Sequence, residues 1–237
     1  MTVLAIGTCR VYEPAFIATA AGRPVATLRH RFHTLGEVEW GLRYALDPTT
    51  VPDELLFTLS DYALETVKKE NGIQEIRELD QRARVGERGH FIIEISSPRE
   101  HFGMIEGREV RINQLVASRI GLTPRVVIPS VKERLKAMRR IRNLVPGRIL
   151  WVSHANVVDP SPEELGLHRL RGENAEVIQE GARRMGDDFY DPTKLVASMG
   201  RQAVFAEDGE DLGHFTHRAH RALAKIYNKW SRGHALA

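Results

Sequence analysis

The chain has 237 residues, 42% hydrophobic and 27% charged, the make-up of a globular protein with one sizeable core and no forced division into domains. Its one cysteine excludes an internal disulfide, and no run approaches the about 18 uninterrupted apolar residues of a membrane span. A formal charge of +3 with ten histidines is slight for this length, so a concentrated nucleic-acid-binding face is not expected.

The chain opens on an apolar run, Val3 to Ile6, that stops at Gly7 and is followed by Thr8, Cys9 and Arg10. It lacks the basic region and long apolar core of a signal peptide, which sets the expectation of a cytoplasmic protein. A short buried strand ending in glycine reads as the first strand of an α/β sheet, and such sheets gather their chemistry at the carboxyl ends of the strands. Thr8, Cys9 and Arg10 then stand in the crevice where a site belongs. The other reading is a strand-to-loop turn around an ordinary buried thiol.

After Arg10 come Val11 to Pro14 and then a mixed stretch to His33 with Gly22 and Pro24, which reads as a partly irregular excursion over the sheet edge. Leu35, Val38, Leu42 and Leu46 form a helical stripe, Thr34 and Glu37 fit a capping box, and Asp47-Pro48 ends the helix. Leu55 to Leu59 fits either a short strand or a helix start. The β-favouring run Phe91, Ile92, Ile93 and Ile95 makes a strand that Pro98 stops, and Val126 to Ile128 is a weaker strand. Val131 to Val145 is a helix with its apolar stripe at Val131, Leu135, Met138, Ile141 and Leu144, surrounded by lysines and arginines. That basic surface is either a solvated face or a contact for phosphate or an acidic polymer. It lacks the interleaved aromatics of a nucleic-acid binder.

Arg148 to Asn156 is a second clear strand with a polar end, Glu173 to Met185 a helix, and Lys194 to Ser198 a third strand closing on Gly200. Thr216 caps a final helix with its stripe at Ala219, Leu223, Ile226 and Trp230. Strands alternating with helices over 1–237 predict a single three-layer α/β/α sandwich around a mostly parallel sheet, flavodoxin-like in type.

Four segments place polar side chains just beyond apolar strands: Gly7 to Arg10, Glu94 to Ser97, Ser153 to Asn156, and Asp211 to His214. In a parallel sheet they converge on one edge. Their chemistry is complementary, because a nucleophile needs a base, the base an orienting acceptor, and an oxyanion its donors. Glu94 interrupts an apolar strand and reads either as a site residue or as half of a buried ion pair. His33 is a candidate pocket residue, whereas Arg99, His101 and Arg169 read as surface residues. His214, His217 and His220 lack the second ligand-bearing segment that a metal site needs, so no metal is expected.

The pairing of a strand-Gly-Thr-Cys start with Asp211-Leu-Gly-His214 resembles the SGNH/GDSL hydrolase superfamily, and within it the GSCFA-like branch. It is also similar to bacterial capsule-biosynthesis proteins that carry cysteine at the first position. The resemblance implies an ester hydrolase or acyltransferase, with a saccharide among its candidate substrates. Cys9 would be the nucleophile, His214 the base and Asp211 its orienting carboxylate. Thr8, Arg10, Ser96, Ser97, His154, Asn156 and His33 would bind substrate or oxyanion. The middle blocks depart from the superfamily pattern: Ser96-Ser97 stand where it has a glycine, and His154-Ala-Asn-Val157 where it has Gly-x-Asn-Asp. No resident cofactor is implied, and acyl-CoA is a candidate acyl donor. The partner expected is a small molecule or saccharide, not a nucleic acid, and nothing in the sequence sets an oligomeric state. The rival reading is a non-catalytic protein that binds a glycan, nucleotide or acyl-CoA in the same crevice.

Overall fold

The structure, a computed structural model, describes residues 3–20 and 25–234. In chain order it runs β1 (Val3–Gly7), α1 (Cys9–Ala20), β2 (Val25–Arg31), α2 (Leu35–Leu46), α3 (Asp61–Thr66), α4 (Gly72–Arg82) and β3 (His90–Ile95). Next come β4 (Glu100–Ile105), β5 (Arg108–Arg111), α5 (Gln114–Arg119), β6 (Arg125–Val127), α6 (Val131–Leu144) and β7 (Arg148–Ser153). The chain continues through α7 (Leu165–Met185), β8 (Asp188–Tyr190), α8 (Thr193–Met199), α9 (Arg201–Val204), β9 (Phe205–Ala206), β10 (Asp211–Phe215) and α10 (His217–Ser231).

The main sheet has the order β2-β1-β3-β7-β8, and every pairing in it is parallel. Counted along the chain, these five strands read 2-1-3-4-5, the flavodoxin-like order whose switch point lies between the first and third strands. Side chains alternate across it, as the strand period of two requires. Leu4, Ile6, Phe91, Ile93, Ile149 and Trp151 face a layer built from α2, α6 and α7, including Val38, Leu42, Met138, Ile141 and Ile178. Val3, Ala5, Ile92, Leu150 and Val152 face α1, α8 and α10, including Val11, Ala15, Leu195, Leu223 and Trp230. The expected three-layer α/β sandwich is therefore present, with the sheet buried on both faces.

The capping box at Thr34 and Glu37 forms as the sequence predicts. Elsewhere the structure corrects the sequence reading. The stretch taken as an irregular excursion is α1 and β2, while Gly22 and Pro24 lie outside the described residues. Pro14 sits inside α1, where it cannot donate to the Arg10 carbonyl one turn back. The Tyr227 hydroxyl of α10 donates to that carbonyl instead, at 3.4 Å. Leu55 to Leu59 falls mostly in a 3-10 turn, Asp53–Thr58. Lys194 to Ser198 is helical, within α8, because Asp191 accepts from the Thr193 amide and Pro192 starts the turn. The strand at this edge is the three-residue β8, and α7 begins at Leu165, well before Glu173.

Val126 and Val127 do form a strand, β6, but in a separate antiparallel sheet of order β5-β4-β6. Its hairpin turns at Glu106 and Gly107, both at positive φ, the two-residue turn that suits strand twist. Three of the basic residues of α6 are committed to the fold: Arg134 is buried against Asn174, Arg140 pairs with Glu39, and Arg142 with Asp187. Val131, placed in the apolar stripe, is exposed.

Candidate active site

Gly7 ends β1 at φ +154°, and a Cβ on it would lie 2.7 Å from the Glu94 Cβ of β3. A glycine is needed for this close approach. It brings Thr8 onto the fully buried Glu94 carboxylate, whose Oε2 accepts from the Thr8 amide at 2.9 Å and from its hydroxyl at 2.6 Å. Arg10 Nε donates to Oε1 of the same carboxylate at 2.5 Å, and its Nη1 donates to the Gly213 carbonyl at 2.6 Å. Glu94 is thus half of a buried ion pair that organises the cleft without lining it. Through Arg10 it ties the end of β1 to β10.

Between Thr8 and Arg10, Cys9 opens α1, where the first amides of the helix have no carbonyl of their own to meet. Two effects oppose each other at its thiol. Burial pushes its pKa up, and the Arg10 guanidinium pulls it down; burial prevails. Cys9 therefore rests as a neutral thiol. Its sulfur makes no hydrogen bond among the described residues, so it is not joined to a base in this state.

His214 is carried by β10, which pairs antiparallel with β9 rather than lying in a loop. Its Nδ1 sits 2.6 Å from Asp211 Oδ2. Asp211 Oδ1 also accepts from the amides of Gly213 and His214, at 2.8 and 3.2 Å. The His214 hydrogen bond first, and these amides after it, hold the Asp211 carboxyl below the usual range. With Nδ1–H given to the carboxylate, Nε2 keeps its lone pair for a proton. The ring is 67% exposed and so has room to move.

His33 follows β2. Its Nδ1 lies 3.1 Å from Ser96 Oγ, its Nε2 is buried without a partner, and burial aided by the Arg10 charge lowers its pKa to about 4. His154 follows β7, donates from Nδ1 to the Ala155 carbonyl at 2.7 Å, and accepts from Arg171 at Nε2, 3.2 Å away. Burial, then the charges of Arg10 and Arg171, keep it neutral. Its ring has no free nitrogen with which to act as a base; it positions Arg171.

Thr8, Cys9 and Arg10, together with His33, Ser96, Ser97, His154 and His214, line one cleft of about 360 Å³ at the switch point. Asp211 stands behind His214. Asn156 does not line the cleft: its Nδ2 donates to the His168 carbonyl at 2.8 Å and its Oδ1 accepts from the Val157 amide. The amides of Ser96 and Ser97 are both committed to the His33 carbonyl. Sequence reasoning missed Arg31, Leu115, Leu167 and Arg171, which also line the cleft, because isolated arginines and leucines carry no motif. It placed Arg99 on the general surface; Arg99 is exposed but faces the cleft. His101 is buried in β4, whereas Arg169 is exposed as expected.

A Ser-His-Asp arrangement lies elsewhere. His30 bridges Ser60 Oγ at 2.8 Å and Asp80 Oδ2 at 2.6 Å, but all three residues are almost fully buried, and Ser60 caps α3. Substrate cannot reach it, and it serves the core.

A protein-family model described as the TviD N-terminal domain matches residues 119–229, a span that takes in Asp211 and His214 but not Cys9. No curated protein matches the chain. Among solved structures, an aryl esterase of M. smegmatis is similar at 13% identity and TM-score 0.43, over 99% of both chains. A carbohydrate acetylesterase from Sinorhizobium meliloti is similar at 11% identity and TM-score 0.44, over 97% of this chain and 99% of the other. A further carbohydrate acetylesterase family member from that organism is similar at 14% identity and TM-score 0.40, over 98% and 97%. Among the described residues no helix is long and apolar enough to cross a membrane.

Proposed function

We propose that the protein hydrolyses or transfers acyl esters through a thioester on Cys9, with His214 as general base and Asp211 as its orienting carboxylate. The observation that carries this reading is that Cys9, at the head of α1, and His214, with Asp211 bonded to its Nδ1, open on the same cleft at the sheet's switch point. It is also the chemistry implied by the resemblance to the SGNH/GDSL superfamily and its GSCFA-like branch.

In the first half-reaction His214 Nε2 takes the thiol proton as sulfur attacks the ester carbonyl carbon. The tetrahedral intermediate collapses by breaking the carbon–oxygen bond to the alcohol, which leaves with the proton held by His214. Water or an acceptor hydroxyl then attacks the thioester carbonyl carbon, with His214 again taking the proton; the carbon–sulfur bond breaks, and sulfur leaves with the proton returned from His214, restoring the neutral thiol. Because the Cys9 thiol rests protonated, proton transfer and attack are coupled, as at a serine nucleophile. The His214 ring must approach sulfur, and its exposure leaves that motion open.

The oxyanion donors differ from the superfamily's. The Thr8 amide is committed to Glu94, and the Asn156 side chain to His168. The first-turn amides of α1 at Cys9 and Arg10 are the remaining backbone donors, with the Ser97 hydroxyl beside them in the cleft. The alcohol side is a small molecule or saccharide, and acyl-CoA is a candidate donor if the reaction is a transfer.

Hydrolysis of p-nitrophenyl acetate tests this. Turnover should vanish in Cys9→Ala and fall strongly in His214→Ala. Full activity in Cys9→Ala would remove the thiol from the mechanism. Failure of wild-type turnover, with ligand binding retained in both variants, would favour the non-catalytic binder.

A further inference from the structure

The charge on the cleft wall points to what the substrate carries. Four arginines line it, Arg10, Arg31, Arg99 and Arg171, together with His33, His154 and His214, and no carboxylate does. Arg10 is neutralised by Glu94, and His214 is paired with Asp211. The other three arginines form no ion pair among the described residues. Arg171 donates to the carbonyls of Ala155 and Leu212 and to His154, and Glu164, itself paired with Arg201, acts on it only from a distance. Burial, then the charge of Arg10, lowers its pKa to about 10, which leaves it cationic at neutral pH.

Arg31 ends β2, in register with Gly7 of β1, so it stands one strand from Cys9. Arg99 lies four residues beyond β3, on the other side of β1. Both are exposed, and neither forms an ion pair among the described residues. Most other arginines of this chain with a carboxylate nearby use it: Arg111, Arg125, Arg140, Arg148 and Arg201 are all paired. The acids that act on the cleft from outside its wall are Glu94, already paired with Arg10, with Glu13 and Asp61 acting more weakly on Cys9 and His33, and none of them lines the cleft. Between the arginines the wall is apolar, with Pro98, Leu115, Leu167 and Leu170. Leu115 and Leu167 are large side chains left exposed at the cleft.

We propose that the substrate of this cleft carries a carboxylate or phosphate group, held by Arg31 and Arg99 with Arg171 in the same wall, and an apolar face against Leu115 and Leu167. Arginine suits both anions because its planar fork donates two parallel hydrogen bonds. The proposal rests on the acyl-transfer reading for what happens at Cys9, but its test does not need turnover. It names the specificity of the site: an anionic ester or anionic acyl acceptor would be preferred over a neutral one of the same size.

The only cysteine in the chain makes the test direct, since alkylation reports on one position. The probes are iodoacetate, an anion, and iodoacetamide, its neutral counterpart, with the urea-unfolded chain as the reference. In the folded protein the iodoacetate-to-iodoacetamide rate ratio should exceed that of the unfolded chain by about tenfold at low salt, and fall as salt is added. Arg31→Ala with Arg99→Ala should remove most of the excess, and Arg99→Glu should remove more than Arg99→Ala. These side chains are exposed, so folding is expected to survive and is checked by circular dichroism.

Protection of Cys9 from iodoacetamide by pyrophosphate would assign a phosphate-bearing substrate, and protection by glucuronate a sugar carboxylate, with glucose as the neutral control. A folded-state ratio equal to the unfolded one, unchanged by the arginine variants, with no protection by either anion, overturns the proposal. Ester turnover with no anion preference sinks this inference and leaves the proposed function standing. Anion preference without turnover does the reverse.

Discussion

Glu94→Gln is the substitution whose outcome the structure fixes most closely. The Glu94 side chain is fully buried and that of Arg10 is 4% exposed, so the variant leaves a guanidinium inside the protein with no counter-charge. Removing one partner of a buried pair costs about 3–5 kcal/mol. Glutamine keeps one carbonyl oxygen for the Thr8 amide, which puts the expected loss near the lower end, about 3 kcal/mol. In a chain of this size each kcal/mol lowers the melting temperature by roughly 2–4 °C, so a fall of about 6–12 °C is expected. Urea unfolding followed by tryptophan fluorescence should show a lower midpoint with an unchanged slope. A second readout belongs to the site itself. Arg10 holds the Gly213 carbonyl, so a displaced guanidinium frees β10, and Cys9 should alkylate faster in the variant. A loss below about 1 kcal/mol, with an unchanged Cys9 rate, would refute the claim that this pair organises the cleft.

Gly7→Ala should destabilise by about 1–3 kcal/mol in the same unfolding assay, because its Cβ meets the Glu94 Cβ and its φ is positive. Asp211→Asn should lower ester turnover on the order of 10³-fold while leaving the melting temperature nearly unchanged, since the pair is at the surface; equal loss of both would make Asp211 structural. His33, His154 and His220 all have folded pKa values below the unfolded value near 6.5, His33 and His220 at about 4. Between those values the unfolded chain binds more protons, so their contribution is present above pH 6.5 and lost as pH falls toward 4. Urea midpoints measured across that window should fall with pH, and less steeply in His220→Asn. The Cys9 pKa is raised, so iodoacetamide labelling of the folded protein should titrate above the range of a free thiol.

Part of the candidate cleft was legible in the sequence because three strands of the sheet, β1, β3 and β7, end where apolar residues give way to polar ones. Gly7, Ile95 and Ser153 all close strands there, and the side chains that follow them meet in one cleft. What the sequence hid has physical causes. Pro14 and a mixed composition disguise α1, whose missing hydrogen bond is supplied from Tyr227, more than two hundred residues away. Lys194 to Ser198 is a short apolar run, and such a run fits a strand or a buried helix turn equally well. The sheet edge is instead β8, too short to leave a periodic signal. The resemblance implied an oxyanion role for Asn156, but its side-chain amide is committed to the His168 carbonyl of α7. The arginines of the cleft are scattered over β2, the β3 loop and α7, and only the fold brings them together.

The central claim is a covalent acyl group on Cys9. Intact-mass analysis and peptide mapping after brief exposure to p-nitrophenyl acetate measure it directly. One acetyl group should appear on the peptide containing Cys9, be absent from Cys9→Ala, and form more slowly in His214→Ala. Turnover with no adduct on that peptide, or with the acetyl group on another side chain, would contradict the account.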